Sequence, residues 1–281
     1  MSKYFNQTLR ARNGTLSIEE FKNAETQENQ GTPEPVAKAN TDSGLVRLES
    51  CRKLSLPVTG VLRAQFQGTD TLGSVEEAYR ALRTRLLRLR ASTNIRSITL
   101  TSAAQAEGKT MTSLNLALCC AQLQDLKVLL VDADLRTQGL TRVLHRPSGP
   151  GLGEFLSGQC EAGEAIVGTD VENLYFIGAG TSQTSPAELL ASQRWPELIA
   201  ACNGSFKLIL VDSPPVLDLS DAELIMAACD GVLMVVRSQQ TRREVLEKAA
   251  SRIDAKKLLG SVYNAAARTH HSYNYTGAGE K

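Results

Sequence analysis

Ser97-Ile-Thr-Leu-Thr-Ser-Ala-Ala-Gln-Ala-Glu-Gly-Lys-Thr110 decides the fold. Ser97 to Thr101 reads as a strand, Gly108-Lys109-Thr110 closes a loop, and a helical apolar pattern follows through Leu114, Ala117 and Leu118. A loop that hands a strand over to a helix in this way presents backbone N–H groups to a phosphate, and the helix dipole favours the negative charge. Residues Ala103 to Thr110 match G-x-x-x-x-G-K-[ST], except that Ala103 stands where the first Gly is expected. In that pattern Lys109 reaches the outer phosphates and the Thr110 hydroxyl serves Mg²⁺. Ala106, Glu107, Gly108, Lys109, Thr110 and Met111 are therefore the expected nucleotide-binding residues of the loop.

Downstream, Lys127-Val-Leu-Leu-Val, Leu174-Tyr-Phe-Ile, Lys207-Leu-Ile-Leu-Val, Gly231-Val-Leu-Met-Val-Val and Leu258-Leu-Gly-Ser-Val read as further strands. Continuous apolar strands alternating with helices predict an α/β fold with a mostly parallel central sheet and helices on both faces. Two of these strands end in carboxylates: Asp132-Ala-Asp134-Leu-Arg136 follows one and Asp212-Ser-Pro-Pro215 another. In a parallel sheet the strand C-termini converge on the ligand crevice, here beside the phosphate loop. A carboxylate buried there needs a partner, and Mg²⁺ is the natural one. Together these motifs predict a P-loop NTPase.

Upstream, residues 1–70 are polar, punctuated by Pro33, Pro35 and Pro57, and expected to be mostly disordered. The nucleotide-binding unit is expected over 71–265, with a flexible tail over 266–281. Ser74-Val-Glu-Glu77 reads as a capping box that opens a helix running to about Leu89, with Ala78, Leu82, Leu86 and Leu89 on one face. Arg80, Arg83, Arg85, Arg88 and Arg90 form the other face, a charged surface of the kind that is usually only solvated. The net charge of +1 over 281 residues gives no reason to expect a nucleic-acid partner. The six cysteines show no Cys-x-x-Cys pair and read as buried thiols. No apolar run approaches the ~20 residues that span a bilayer, and no signal peptide opens the chain, so a cytoplasmic location is expected.

The order P-loop, Asp-Ala-Asp-Leu-Arg, Asp-Ser-Pro-Pro resembles the bacterial tyrosine kinases, the cytoplasmic kinase partners of polysaccharide chain-length proteins. Glu77-Ala-Tyr-Arg80-Ala-Leu-Arg83 and Ser185-Pro-Ala-Glu-Leu-Leu190 add to the likeness, which covers about residues 74–275. The resemblance implies an ATP- and Mg²⁺-dependent protein-tyrosine autokinase regulating exopolysaccharide or capsule synthesis and export. It implies Lys109 and Asp132 as catalytic residues, Thr110, Asp134 and Asp212 as metal ligands, and Asn264 as a base contact. Tyr273 and Tyr275 would be autophosphorylated by a neighbouring subunit, while Glu77, Arg80 and Arg83 would pack a ring-like homo-oligomer. Further implied partners are a cytoplasmic segment of a membrane activator, which would recruit the chain to the inner face of the plasma membrane, and a cognate phosphatase.

The chain departs from the family at Gln105-Ala106, where Pro-Gly is usual; an Ala there limits positive φ. That departure keeps open a nucleotide-gated scaffold without kinase activity. A partitioning-type P-loop ATPase is the other alternative, but that class carries a Lys where this chain has Ala104. The tail also lacks the amphipathic membrane helix of the septum-placing relatives.

Overall fold

The computed structural model describes residues 51–56, 72–145 and 149–266. The chain begins there with β1 (Arg52–Leu56), α1 (Leu72–Thr93), β2 (Ser97–Ser102), α2 (Lys109–Ala121) and β3 (Val128–Asp132). Three short helices follow, α3 (Gly139–Val143), α4 (Leu152–Leu156) and α5 (Ala162–Ala165), then β4 (Ile166–Thr169) and β5 (Leu174–Ile177). The remainder is α6 (Pro186–Ala191), α7 (Arg194–Ser205), β6 (Leu208–Asp212), α8 (Asp221–Ala228), β7 (Gly231–Arg237), α9 (Arg243–Ala250) and β8 (Leu258–Asn264). No helix among the described residues is long and apolar enough to cross a membrane.

The strands form one sheet in the order β1-β4-β5-β3-β6-β2-β7-β8, parallel throughout except for the β4–β5 pair. The central strands are buried on both faces because successive residues feed opposite layers. Val128, Leu130, Leu208 and Leu210 pack with α1 and α2, whereas Leu129, Val131, Ile209 and Val211 pack with Trp195, Leu198 and Ile225 from α7 and α8. A third cluster places β7 against Val216, Leu246 and Ile253. Because β6 lies between β2 and β3, the crossover through α2 skips one strand. The C-terminal ends of β2, β6 and β3 thus stand side by side, and they carry the phosphate loop, Asp212 and Asp132.

Two strands differ from expectation. β1 is a five-residue strand inside the segment 1–70 that is expected to be mostly disordered, and it pairs with β4 at the edge of the sheet. Its short Arg-Lys-Leu-Ser-Leu run alternates apolar and polar residues only twice, too little to stand out, and pairing with β4 supplies what local sequence does not. β4 is shorter still, and its antiparallel pairing has no crossover helix to announce it. The helix expected from Ser74 begins at Leu72, so Ser74 lies in its first turn rather than ahead of it.

The apolar face expected for α1 is real. Ala78, Leu82 and Leu86 are buried, and α1 shares a core cluster with Leu114, Ala117 and Cys120 of α2. The basic face is only partly solvated. Arg83 donates to the Cys119 carbonyl at 2.6 Å, and Arg90 donates to the carbonyls of Ile95 and Lys207. These arginines satisfy carbonyl groups in the last turn of α2 and beyond α1. Arg80 pairs with Glu76 and Glu77 at 3.4 and 3.3 Å on the exposed surface.

Of the six cysteines, all reduced, five are buried and Cys160 is partly so. Burial pushes the Cys120, Cys202 and Cys229 thiols up to about 12, which suits inert core residues. Because Leu86 is 1% exposed at the α1–α2 contact, Leu86→Ala is expected to cost about 2–5 kcal/mol. Urea unfolding should show a lower midpoint with an unchanged slope.

Candidate active site

The loop after β2 is held from within and from the far edge of the sheet. Glu107, 5% exposed, turns back so that its carboxylate accepts the Ala103 N–H at 2.9 Å and the Thr241 hydroxyl. Arg237, at the end of β7, donates to the Ala106 carbonyl at 2.9 Å. Asn264, at the end of β8, donates to the Glu107 carbonyl at 3.0 Å and accepts from the Ala265 N–H at 2.9 Å. In this structure the Asn264 amide therefore braces the loop.

Gly108 and Ala106 both sit at positive φ, 90° and 60°. Gly108 is required twice over, since a Cβ there would also collide with the Asn264 amide. Ala106 has no such licence, and the left-handed conformation costs a non-glycine residue about 1–2 kcal/mol. The substitution read from the sequence thus has a real backbone consequence. The bonds from Arg237 to Ala106 and from Asn264 to Glu107 hold the strained shape in place. Beyond Gly108, α2 starts without a side-chain cap, and the first N–H groups of a helix lack an acceptor within it, as at Lys109 and Thr110. That is the geometry of an anion site.

The acidic residues converge as expected. Asp132 and Asp212 are register partners on adjacent parallel strands, and both are fully buried. Asp132 Oδ2 accepts the Thr141 N–H at 2.8 Å and the Thr141 hydroxyl at 2.7 Å, leaving Oδ1 with no partner among the described residues. Asp212 Oδ1 accepts the Ser113 hydroxyl at 3.1 Å, and Oδ2 likewise has no hydrogen-bond partner among the described residues. Asp134 is buried too; its Oδ2 pairs with Lys109 Nζ at 3.2 Å and its Oδ1 accepts the Thr137 N–H at 3.0 Å. Gly139 makes room for Thr110, whose hydroxyl would lie 2.9 Å from a Cβ at that position.

Electrostatics reflect this crowding. Burial, then the charge of Asp212, pushes the Asp132 carboxyl up to about 7, against the bonds from Thr141. Burial pushes Asp212 up to about 6, opposed by Lys109 and the nearby Thr110 hydroxyl. Two buried, unpartnered carboxylate oxygens on neighbouring strands call for a proton or a cation. Among the described residues no three His, Cys, Asp or Glu side chains form a full metal cage. A cation here would take only part of its shell from protein. That suits Mg²⁺, which keeps waters and phosphate oxygens as ligands, so the donor set fits the expected metal.

Arg136, whose role the sequence left open, makes a two-pronged bond to the buried Asp221, at 2.7 and 3.2 Å. It ties the Asp-Ala-Asp loop to the start of α8. Glu77, Arg80 and Arg83 all lie on α1, but only Glu77 and Arg80 meet, Arg83 being turned to α2. Tyr273 and Tyr275 lie outside the described residues. Sequence reading missed Thr141, Ser113, Arg237 and Thr241, which belong to no local motif.

Asp132→Asn tests the carboxylate cluster through stability. A folded-state pKa raised from 3.8 to about 7 gives the wild type a contribution that is present below pH ~4 and lost as pH rises through ~7. Nucleotide- and metal-free Asp132→Asn should therefore melt higher than wild type at pH 8, and the gap should close by pH 4. Ala106→Gly should also raise the melting temperature, by relieving the left-handed strain.

The profile of a family described as an AAA domain matches residues 96–258. The chain is 32% identical over 204 residues to tyrosine-protein kinase YwqD of Bacillus subtilis, a match covering 72% of this chain and 86% of that protein. Tyrosine-protein kinase CpsD of Streptococcus agalactiae is 32% identical over 202 residues, covering 70% and 85%. Among solved structures, the kinase domain of Escherichia coli tyrosine kinase ETK superposes with a TM-score of 0.66 at 30% identity, covering 75% of this chain and 85% of that one. With the phosphate loop and both acidic strand ends where such an enzyme needs them, the chain belongs to the family of bacterial tyrosine kinases.

Proposed function

We propose that this chain is an ATP- and Mg²⁺-dependent protein-tyrosine autokinase. The observation that carries the reading is the pair of buried carboxylates, Asp132 and Asp212, each with an oxygen lacking a partner among the described residues, beside the uncapped start of α2. The naming of relatives as tyrosine-protein kinases supports it.

In this reading Thr110, Asp134 and Asp212 hold Mg²⁺, which neutralises phosphate charge when bound. Lys109 exchanges its bond to Asp134 for the outer phosphates, and the amides of Ala106 to Met111 hold the rest of the chain of phosphates. Asp132 takes the acceptor proton on Oδ1. The tyrosine oxygen then bonds the γ-phosphorus while the bond to the β–γ bridging oxygen breaks, and its electron pair leaves with ADP. Positioning and charge neutralisation supply most of such a rate enhancement. A general base adds roughly 10²–10⁴-fold.

Tyr273 and Tyr275 are the acceptors, offered to a neighbouring subunit in a ring whose contacts include Glu77, Arg80 and Arg83. The cytoplasmic segment of a membrane chain-length protein activates the ring and draws it to the inner face of the plasma membrane. A phosphatase resets it, and the cycle governs exopolysaccharide synthesis and export. The strained Ala106 favours one second reading, a nucleotide-gated scaffold that binds ATP without transferring phosphate.

Intact-mass analysis of the full chain after incubation with Mg²⁺-ATP and the activator segment tests the proposal. Wild type should gain phosphate, the Tyr273→Phe/Tyr275→Phe double variant should gain none on its tail, and Lys109→Ala should slow by about 10²-fold or more. Nucleotide binding with no phosphate gain by wild type would leave the scaffold reading.

A further inference from the structure

Asp132 owes its orientation to one residue outside every motif. Thr141, in α3, gives Asp132 Oδ2 both its N–H and its hydroxyl, at 2.8 and 2.7 Å. The Thr141 oxygen itself accepts the Ala179 N–H at 2.8 Å. A hydroxyl has a single hydrogen, so an amide donating to the oxygen leaves that hydrogen for the carboxylate. The terminal torsion of an aspartate is broad, and either oxygen can face a given direction unless bonds choose between them. Here the bonds saturate Oδ2 and leave Oδ1 buried and free.

Thr141 is itself pinned from two sides. Gln138 opens α3 at φ 51° and its amide donates to the Gly180 carbonyl at 3.1 Å, so α3 is stitched to the segment after β5 at two adjacent residues. The neighbouring Glu154 binds the Thr181 N–H and hydroxyl, at 3.0 and 2.8 Å, which fixes that segment in turn. Asp132 is thereby referenced to a rigid frame, as a reacting group must be for its geometry to hold within tenths of an ångström.

We propose that Thr141 is a positioning residue for phosphoryl transfer, holding Asp132 so that Oδ1 is the oxygen that receives the acceptor proton. The inference rests on the reading of Asp132 as the base. It predicts a role for the hydroxyl that is separate from folding and from nucleotide binding, because Thr141 touches neither the phosphate loop nor Lys109, Asp134 or Asp212 among its hydrogen bonds.

The test uses the full chain with Thr141→Val, which keeps the shape and removes the hydroxyl, and Thr141→Ser, which keeps the hydroxyl. Single-turnover phosphoryl transfer at saturating Mg²⁺-ATP, Mg²⁺-ADP affinity and melting temperature are measured for each. Thr141→Val should lower the transfer rate about 10- to 100-fold while its Mg²⁺-ADP affinity stays within about twofold of wild type. Thr141→Ser should keep the rate within about threefold of wild type. Transfer by Thr141→Val at the wild-type rate, or equal slowing of both variants, would overturn the proposal. So would a loss of nucleotide affinity that matches the loss of rate. Should Thr141→Val not fold, Thr141→Ala carries the same expectation and the same contrary results. If wild type hydrolyses ATP without modifying tyrosine, the kinase reading fails by itself. The same variants are then compared on hydrolysis, where an unslowed Thr141→Val overturns the role of the hydroxyl and a slowed one supports it.

Discussion

Everything at the functional end of this molecule depends on placing two carboxylates side by side at the ends of adjacent parallel strands. Asp132 and Asp212 face the same register position, fully buried, and each keeps an oxygen that none of the described residues satisfies. Such an arrangement opposes folding, since burial without a partner disfavours the charged form of both groups. It persists because the sheet around it is packed on both faces, with strand residues divided between two large apolar clusters. The stability of the core is what allows a costly site to exist at its edge.

The phosphate loop follows the same logic on a smaller scale. A left-handed Ala106 would relax if the loop were free. Arg237, Thr241 and Asn264 hold the loop from β7, β8 and the turn between β7 and α9, elements separated from it by more than a hundred residues in sequence. Glu107 closes the loop on itself through Ala103. The departure at Gln105-Ala106 is therefore met by bonds from outside the loop, and a site for phosphate remains at the start of α2.

Much of this was legible in the sequence, and the limits have physical reasons. The long apolar runs at 128–131, 208–211 and 231–236 could only be strands covered on both sides, and they are. β1 and β4 were missed because runs of five and four residues at the margin of the sheet carry too little pattern. In the site, Lys109, Thr110, Asp132, Asp134 and Asp212 were readable because strand, turn and helix place them within short motifs. Thr141 and Ser113 were not, since a hydroxyl that meets a carboxylate through tertiary structure leaves no local signature. The bond of Arg83 to α2 was illegible for a related reason: helical spacing places it on the polar face of α1, and only its reach carries the guanidinium to the end of α2.

The account stands on the claim that the orphaned carboxylate oxygens and the uncapped start of α2 form one site for a metal-bound nucleotide. Calorimetric titration of the full chain with ADP, with and without Mg²⁺, tests it most directly. Binding should tighten by about tenfold or more when Mg²⁺ is present, and Asp212→Asn should erase most of that gain. ADP binding that is indifferent to Mg²⁺, or absent under both conditions, would contradict the account.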